Sequence, residues 1–533
     1  MLGSFVPDPR RIAENLGIRE GEAARTARLF AFIFLMTSSI VLAKSAQRGI
    51  FLAAYPRSAI PDAFLLSAAV LAVASLCTSA LAARVNLKWL VQILLVAGAV
   101  LVAAAAAAVK SGRTWAPMAT YVLVDALSSL LLVQGWAVTS EALDVRSAKR
   151  LLPLVSVGAG LAWTVGGLSV PELVKWMGAP ALLMRVPLVL LAAVVALEVV
   201  ARFDLQAKDA HPQRAVGFFA GAADTLKYIF SEPLMRVLAA VITLDLLVEQ
   251  VTDFQLFSVA QEHFSAAPGQ ITGFMGAFYG VTGAVTLIAP FTFSGRVLIR
   301  LGSSRSAALA AIWVLLLSVL FVVEPSFAII VLVAGGDRVL KQSLSSPART
   351  QILGAIPAVR RAQAGAVLRG ILASWFAVVG AGVLKLLQHE LPVRWLSIAT
   401  AVMAVILLGV ILGYLRRGYV IALQRTVDKR RLDLDAPGES HLRQLDREQV
   451  GLLTEELKSL DPERAGFAVT MLANGQAPLA RPLLIQALRH PASEIQAQAV
   501  EVLSSFGDRA DAEPIAAVLE KSPNTTVRCA CLR

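Results

Sequence analysis

Apolar residues run along most of the chain in stretches of about 20, the length a helix needs to cross a bilayer's hydrocarbon core. Twelve such stretches are predicted as membrane-spanning helices: 27–52, 60–83, 89–109, 115–139, 151–170, 181–200, 235–259, 270–293, 306–323, 326–346, 364–387 and 394–415. The first follows a charged amphipathic segment from Arg10 to Arg28 and has no small-residue cleavage site after a short apolar core, so it reads as a span and not as a leader.

The longest loop between spans, 203–234, separates six spans from six, and polar landmarks recur across it. Arg84 and Lys88 answer to Arg296 and Arg300, Asp125 to Asp337, and Lys149 to Arg361, each pair 212 residues apart. Parallel six-plus-six repeats are the layout of the major facilitator architecture, whose substrate site lies near mid-membrane between the halves.

The pattern changes beyond Arg416-Arg417. Residues 416–446 read as a charged linker, and 447–533 alternate amphipathic helices with Asp461-Pro462, His490-Pro491 and Ser522-Pro523 turns at near-constant spacing. That is the pattern of HEAT-like repeats, helix pairs that stack on one another. The fold class expected is therefore all-α: a polytopic membrane protein with 12 spans and a C-terminal α-solenoid. Its divisions are an N-terminal segment (1–26), a first half (27–202), a central loop (203–234), a second half (235–415), the linker and the repeat domain. The solenoid is expected to bind a protein partner or to cap the cytoplasmic face.

Composition agrees: 57% of residues are hydrophobic and only 16% charged, against about 25% charged in soluble domains. Lys and Arg stay on the cytoplasmic side of a membrane. Thirty of them fall at the N-terminus, the even-numbered loops and the segment after the last span, against nine in the odd-numbered loops, which predicts both termini cytoplasmic. The formal charge of +12 resolves into +17 for residues 1–431 and −5 for the tail. The excess faces anionic lipid, and an acidic tail argues against nucleic-acid binding. Three cysteines cannot frame a fold; Cys77 is expected in the core, and Cys529 and Cys531 in helix packing. No histidine cluster, phosphate loop or nucleophile elbow is present, so neither an enzyme nor a cofactor is expected.

Candidate chemistry lies in the spans, where ionisable groups are costly and by default functional. Asp245, Glu249 and Asp253 share one face of the seventh span at i, i+4, i+8, and Lys44 and Arg48 sit at i, i+4 on the first. The two spans are repeat mates facing each other across the centre, and alignment sets Lys44 against Glu249 and Arg48 against Asp253. Two readings follow: a site for an anionic, phosphorylated solute, since Arg suits bidentate phosphate contacts, or an interhelical gate of mutually neutralising pairs. Asp125 and Gln134 on the fourth span, and Asp337, Arg338 and Lys341 on the tenth, complete the set. Asp125 has no partner on its own span, whereas Asp337 and Lys341 can pair with each other at i, i+4. Glycines at 158, 160, 166 and 167 and at 273, 276, 280 and 283 predict close helix packing.

The stretch LVQGWAVTSEALDVRSAKRLLPLVSVGAGLAWTVGG (132–167) resembles the fourth-to-fifth span region of bacterial and plastid ATP/ADP translocases. KSAQRGIFLAAYP (44–56) and DRVLKQSLSSPARTQILGAIPAVRRAQAG (337–365) are similar to that family's first span and its tenth-to-eleventh segment. The match is best to the branch from free-living bacteria that carries HEAT-like repeats. The resemblance implies a major-facilitator-like fold in the bacterial inner membrane and nucleotide transport, with ATP/ADP as candidate solutes. It also implies that membrane-embedded lysines and glutamates do the work, here Lys44 and Glu249, with Lys385 near the end of the eleventh span as a further candidate. A solute other than a nucleotide, and a non-transporting sensor that anchors the HEAT stack, both remain open.

Overall fold

The computed structural model describes residues 22–82, 84–143, 145–204, 227–354, 368, 373–390 and 392–415 of the membrane region. It also describes 453–532 of the tail, with breaks at 456, 459–461, 474–476, 507–510 and 523. Every regular element among the described residues is helical. The first half comprises α1 (Glu22–Ala54), α2 (Ile60–Ala82), α3 (Leu87–Lys110), α4 (Ala116–Glu141), α5 (Val145–Leu161, continued through Gly167–Met177) and α6 (Ala179–Phe203). The second comprises α7 (Pro233–His263), α8 (Gln270–Ala289, continued through Gly295–Leu301), α9 (Ser303–Val323), α10 (Phe327–Leu340, continued through Ser346–Gly354), α11 (Ala373–Glu390) and α12 (Val393–Gly409). Wide π-helical turns interrupt α5 at Ala162–Gly166, α8 at Pro290–Ser294 and α10 at Lys341–Ser345, and another closes α12 at Val410–Leu415.

These helices stand where the apolar stretches predicted spans. Nine of them are long and apolar enough to cross a membrane by length and composition. Charged residues keep α7 and α10 below that standard, and most of the segment before α11 lies outside the described residues. The outward surface is apolar, with Trp176, Phe291, Val323 and Leu386 all largely exposed, which is what a lipid-facing surface requires. This is a multi-pass membrane protein.

The repeat is visible in the packing. In the first half α1 packs on α4, α5 and α6, α3 on α4 and α6, and α2 on α4. In the second half α7 packs on α10, α11 and α12, α9 on α10 and α12, and α8 on α10. Each pair is the other half's pair moved on by six helices. The halves join along α2–α11, α5–α8 and α1–α8.

Glycine makes the α5–α8 seam possible. A Cβ on Gly167 would stand 2.4 Å from the Gly280 nitrogen, and one on Gly280 would stand 2.6 Å from the Leu168 nitrogen. Backbone meets backbone there, as the small-residue spacing predicted.

Each half has an apolar core, and a third cluster straddles both at the face that carries loops 1, 3, 5, 7, 9 and 11, called here the odd-loop face. Phe51, Tyr121, Phe254, Phe257 and Phe278 dominate it; Phe51 and Tyr121 lie 4.9 Å apart and Phe64 and Phe257 meet across the halves at 6.1 Å. In the tail, α13 (Pro462–Ala473), α14 (Ala477–Ala487), α15 (Ser493–Phe506), α16 (Ala512–Lys521) and α17 (Thr525–Leu532) close on a core of their own, including Leu472, Leu484, Val500, Leu503 and Val527.

The cysteine expectations need correcting. Cys77 is exposed within α2, because an apolar run suits lipid as well as a core; Cys529 is exposed too. Cys531 does pack against the tail core, and burial pushes its thiol above the ordinary value. The segment 1–21, residues 205–226 of the central loop and the linker 416–446 lie outside the described residues.

Candidate functional site

Four helices carry ionisable groups to the junction of the halves: α1 and α4 from the first, α7 and α10 from the second. At 1.5 Å per residue, Arg48 stands about 9 Å inside the odd-loop end of α1 and Asp245 about 27 Å inside that of α7. The groups therefore form a ladder through the membrane.

The rung nearest the odd-loop face is Asp253. One Arg338 amino group donates to both of its carboxylate oxygens, at 2.6 and 2.8 Å. Arg48 approaches the same carboxylate from the other half at 3.9 Å. Both guanidiniums lie against aromatic rings: Arg48 over Phe257 and Tyr279 at 4.9 and 5.1 Å, and Arg338 over Phe278 and Tyr279 at 5.2 and 5.4 Å. The Tyr279 ring thus serves a cation from each half. Among the described residues its hydroxyl, Arg48 Nε and both polar side-chain atoms of Gln47 are buried with no hydrogen-bond partner, and such groups call for an explanation.

The middle rung is Lys341, which stands in the wide turn of α10. Its ammonium lies 2.8 Å from Asp337 and 3.9 Å from Glu249, and it donates to the Asp245 carbonyl at 3.0 Å. Asp337 is only 2% exposed, with Oδ1 lacking a partner, whereas the Glu249 side chain is 43% exposed although it sits mid-span. The deepest rung is Asp245, paired with Arg349. Beside the ladder, Lys44 donates to Asp125 at 2.9 Å within the first half.

Expectation and arrangement differ in instructive ways. Arg48 does meet Asp253, but Lys44 does not pair with Glu249: it neutralises Asp125, the acid for which sequence named no partner. The self-contained Asp337–Lys341 pair forms. Gln134 stands nine residues past Asp125 on α4, half-buried and without a hydrogen bond among the described residues. Lys385 is outside the cluster, half-exposed, and bridges to Asp62 at 2.6 Å between α11 and α2. Sequence reading noted Arg349 after the Asp337 group without counting it in the site, and missed Tyr279 and Gln261. The last donates its amide to the carbonyls of Leu52 and Tyr55 across the halves, at 2.9 and 2.7 Å. A tyrosine inside the glycine-rich α8 was a readable signal; the other two were ordinary polar residues near helix ends.

The odd-loop face is thus closed by the aromatic cluster, the Gln261 hydrogen bonds, the Lys385–Asp62 bridge and the Arg48–Asp253 contact. Among the described residues no group of His, Cys, Asp and Glu could hold a metal ion. A groove between α9 and α12, lined by Val319, Val323, Ile398 and Val402, has no polar lining and opens on the outer surface, away from the ladder.

Solved structures share the fold of the membrane region. A mutant of the nucleoside transporter NupG superposes with a TM-score of 0.57 at 12% identity, covering 73% of this chain and 99% of that one. A POT family transporter in complex with 5-aminolevulinic acid gives 0.56 at 12% identity, covering 73% and 96%. Another, in complex with a thioalcohol-conjugated peptide, gives 0.54 at 13%, again covering 73% and 96%. The membrane region has the major facilitator fold. A sequence profile of HEAT repeats matches residues 451–533. No curated protein matches the chain in sequence.

Proposed function

We propose that the protein is a secondary active transporter that carries an anionic solute by alternating access between its two halves. The observation that carries this reading is the pair of guanidiniums from opposite halves, Arg48 and Arg338, meeting on one carboxylate beside a shared aromatic ring. When the halves part, Asp253 keeps Arg338, and Arg48 turns to an anion entering the gap. Lys44, Asp125, Gln134, Glu249, Asp337 and Lys341 complete the polar surface that the solute meets, while Lys385 and Gln261 belong to the closure at the odd-loop face. The resemblance of 44–56, 132–167 and 337–365 to ATP/ADP translocases makes a nucleotide the first solute to test. The basic bias of the even-numbered loops favours cytoplasmic termini and an inner-membrane setting. The HEAT repeats then form a cytoplasmic surface for regulation or for a protein partner.

The test is counter-flow. Proteoliposomes loaded with unlabelled ATP and ADP should take up labelled ATP faster than empty vesicles, and Arg48→Ala should abolish the difference. No uptake from folded, inserted protein would remove the nucleotide, and other phosphorylated and carboxylated solutes would follow by ligand-induced thermal stabilisation.

A further inference from the structure

The end of α1 is left open by its own sequence and closed by the other half. In a continuing helix the Leu52 carbonyl would accept from the backbone N–H of residue 56, but that residue is Pro56, which has none. Proline also turns the residue before it out of the helix, and α1 stops at Ala54. The Ala59 N–H, which one more turn would bring to the Tyr55 carbonyl, goes to the Pro56 carbonyl at 3.0 Å instead. The Gln261 amide of α7 donates to both the Leu52 and the Tyr55 carbonyls, at 2.9 and 2.7 Å. Leu52 is only 1% exposed, and a buried carbonyl without a donor is costly.

Two comparisons single Gln261 out. Lys44 and Glu249, and Arg48 and Asp253, stand 205 residues apart, and the same step carries Pro56 to Gln261. One half therefore lacks a donor at the repeat position where the other half supplies one, and α7 runs on to His263 where α1 has stopped. Gln250 and Gln255, on the same helix, also donate to backbone carbonyls, those of Ala377 and Val393, but within their own half. Gln261 makes the same kind of bond across the halves.

We propose that Gln261 is a positioning residue of alternating access: it caps α1 only while the odd-loop face is closed, and Pro56 makes that cap necessary. The pair thereby sets how strongly the resting protein favours the closed face. Had α1 ended on its own N–H donors, its last carbonyls would be satisfied in either state and would bias neither. With Pro56 in place, two hydrogen bonds exist in one state only. Two bonds of ordinary net strength move a two-state equilibrium by about 5- to 150-fold.

The proposal rests on the transport reading, but its test needs no solute. Full-length protein with its three cysteines replaced by serine would carry spin labels at Ser111→Cys and Ala266→Cys, in loops 3 and 7 of opposite halves at the odd-loop face. In nanodiscs Gln261→Met, which keeps the length and loses the donor, should raise the ratio of longer to shorter distance at least about fivefold. Gln261→Glu, whose carboxylate only accepts, should raise it at least as far, and it carries the measurement if the methionine form does not fold. Pro56→Ala returns an N–H to Leu52 and lets Tyr55 stay helical, so it should act in opposite directions. Alone it makes Gln261 partly redundant and shifts the population toward the longer distance; in the Gln261→Met protein it satisfies the stranded carbonyl and shifts it back. A side chain that merely packs at the seam gives no such reversal. Unchanged distances in the Gln261 variants would overturn the proposal, and so would a Pro56→Ala shift of the same sign in both backgrounds. An unmoved distance beside working counter-flow sinks the cap alone, whereas a moved distance beside failed counter-flow sinks the nucleotide and leaves the cap standing.

Discussion

The Lys44–Asp125 pair offers a clean separation of folding from transport. Its atoms lie 2.9 Å apart with side chains 17% and 29% exposed, so at an effective dielectric of about 20 the Coulomb attraction is about 6 kcal/mol. Desolvation and partial wetting cancel much of that. Truncating one partner strands the other, a loss of about 3–5 kcal/mol for a fully buried pair; for this half-wet pair about 1–3 kcal/mol is expected. Lys44→Ala and Asp125→Asn should therefore each lower the unfolding temperature, whereas the double variant should recover most of the loss, because no charge is left unpaired. If Lys44 also meets the solute, the double variant stays inactive in counter-flow although its stability has returned. A double-mutant cycle read by both thermal unfolding and transport decides the matter. Restored stability with restored transport would refute a role for Lys44 in the solute site, and full additivity of the stability losses would refute the pair itself.

Two further outcomes follow from the packing and the surface. Gly280→Val should force α5 and α8 apart, since even a Cβ would meet the Leu168 nitrogen at 2.6 Å; overpacking of this kind costs about 1–3 kcal/mol. It should lower the unfolding temperature and slow transport far more than Gly295→Val, where nothing lies within 4 Å of the added atom. In nanodiscs Cys529 should react with a water-soluble maleimide, while Cys77, exposed within the apolar span α2, should not react until detergent is added; rapid labelling of Cys77 in the bilayer would show that its part of α2 faces water.

Much of this architecture was legible in the sequence, because the length of an apolar span is imposed by the bilayer itself. The spans followed from hydrophobic length and the two halves from the landmarks recurring 212 residues apart, and Asp125 and Asp337 do occupy corresponding helices. Contacts between helices were much harder to read. Spacing at i, i+4 shows that Lys44 and Arg48 share a face, but not which helix that face meets, so Asp125 could not be named as the partner of Lys44. Cys77 was misplaced for a related reason: lipid and core are equally apolar, and hydrophobicity alone does not tell which one a side chain touches. Lys385 became a candidate through the family resemblance, yet near a helix end a long side chain reaches out to the interface, where it meets Asp62.

The wide turn of α10 carries a consequence for the ladder. In an uninterrupted α-helix at 3.6 residues per turn, Arg349 would point about 80° away from Lys341. The turn at Lys341–Ser345 absorbs roughly one extra residue, about 100°, and swings Arg349 back over Asp245, beside the carbonyl that Lys341 already holds. The pairing is therefore encoded by chain length as much as by residue type. Removing one residue between Lys341 and Ser345 would let the turn relax to a regular helix, with Arg349 seven residues on and still over Asp245. Adding one would instead rotate the lower half of the helix by a further turn of about 100° off its acid while leaving every charged residue in place, a frame error in three dimensions that no substitution could mimic.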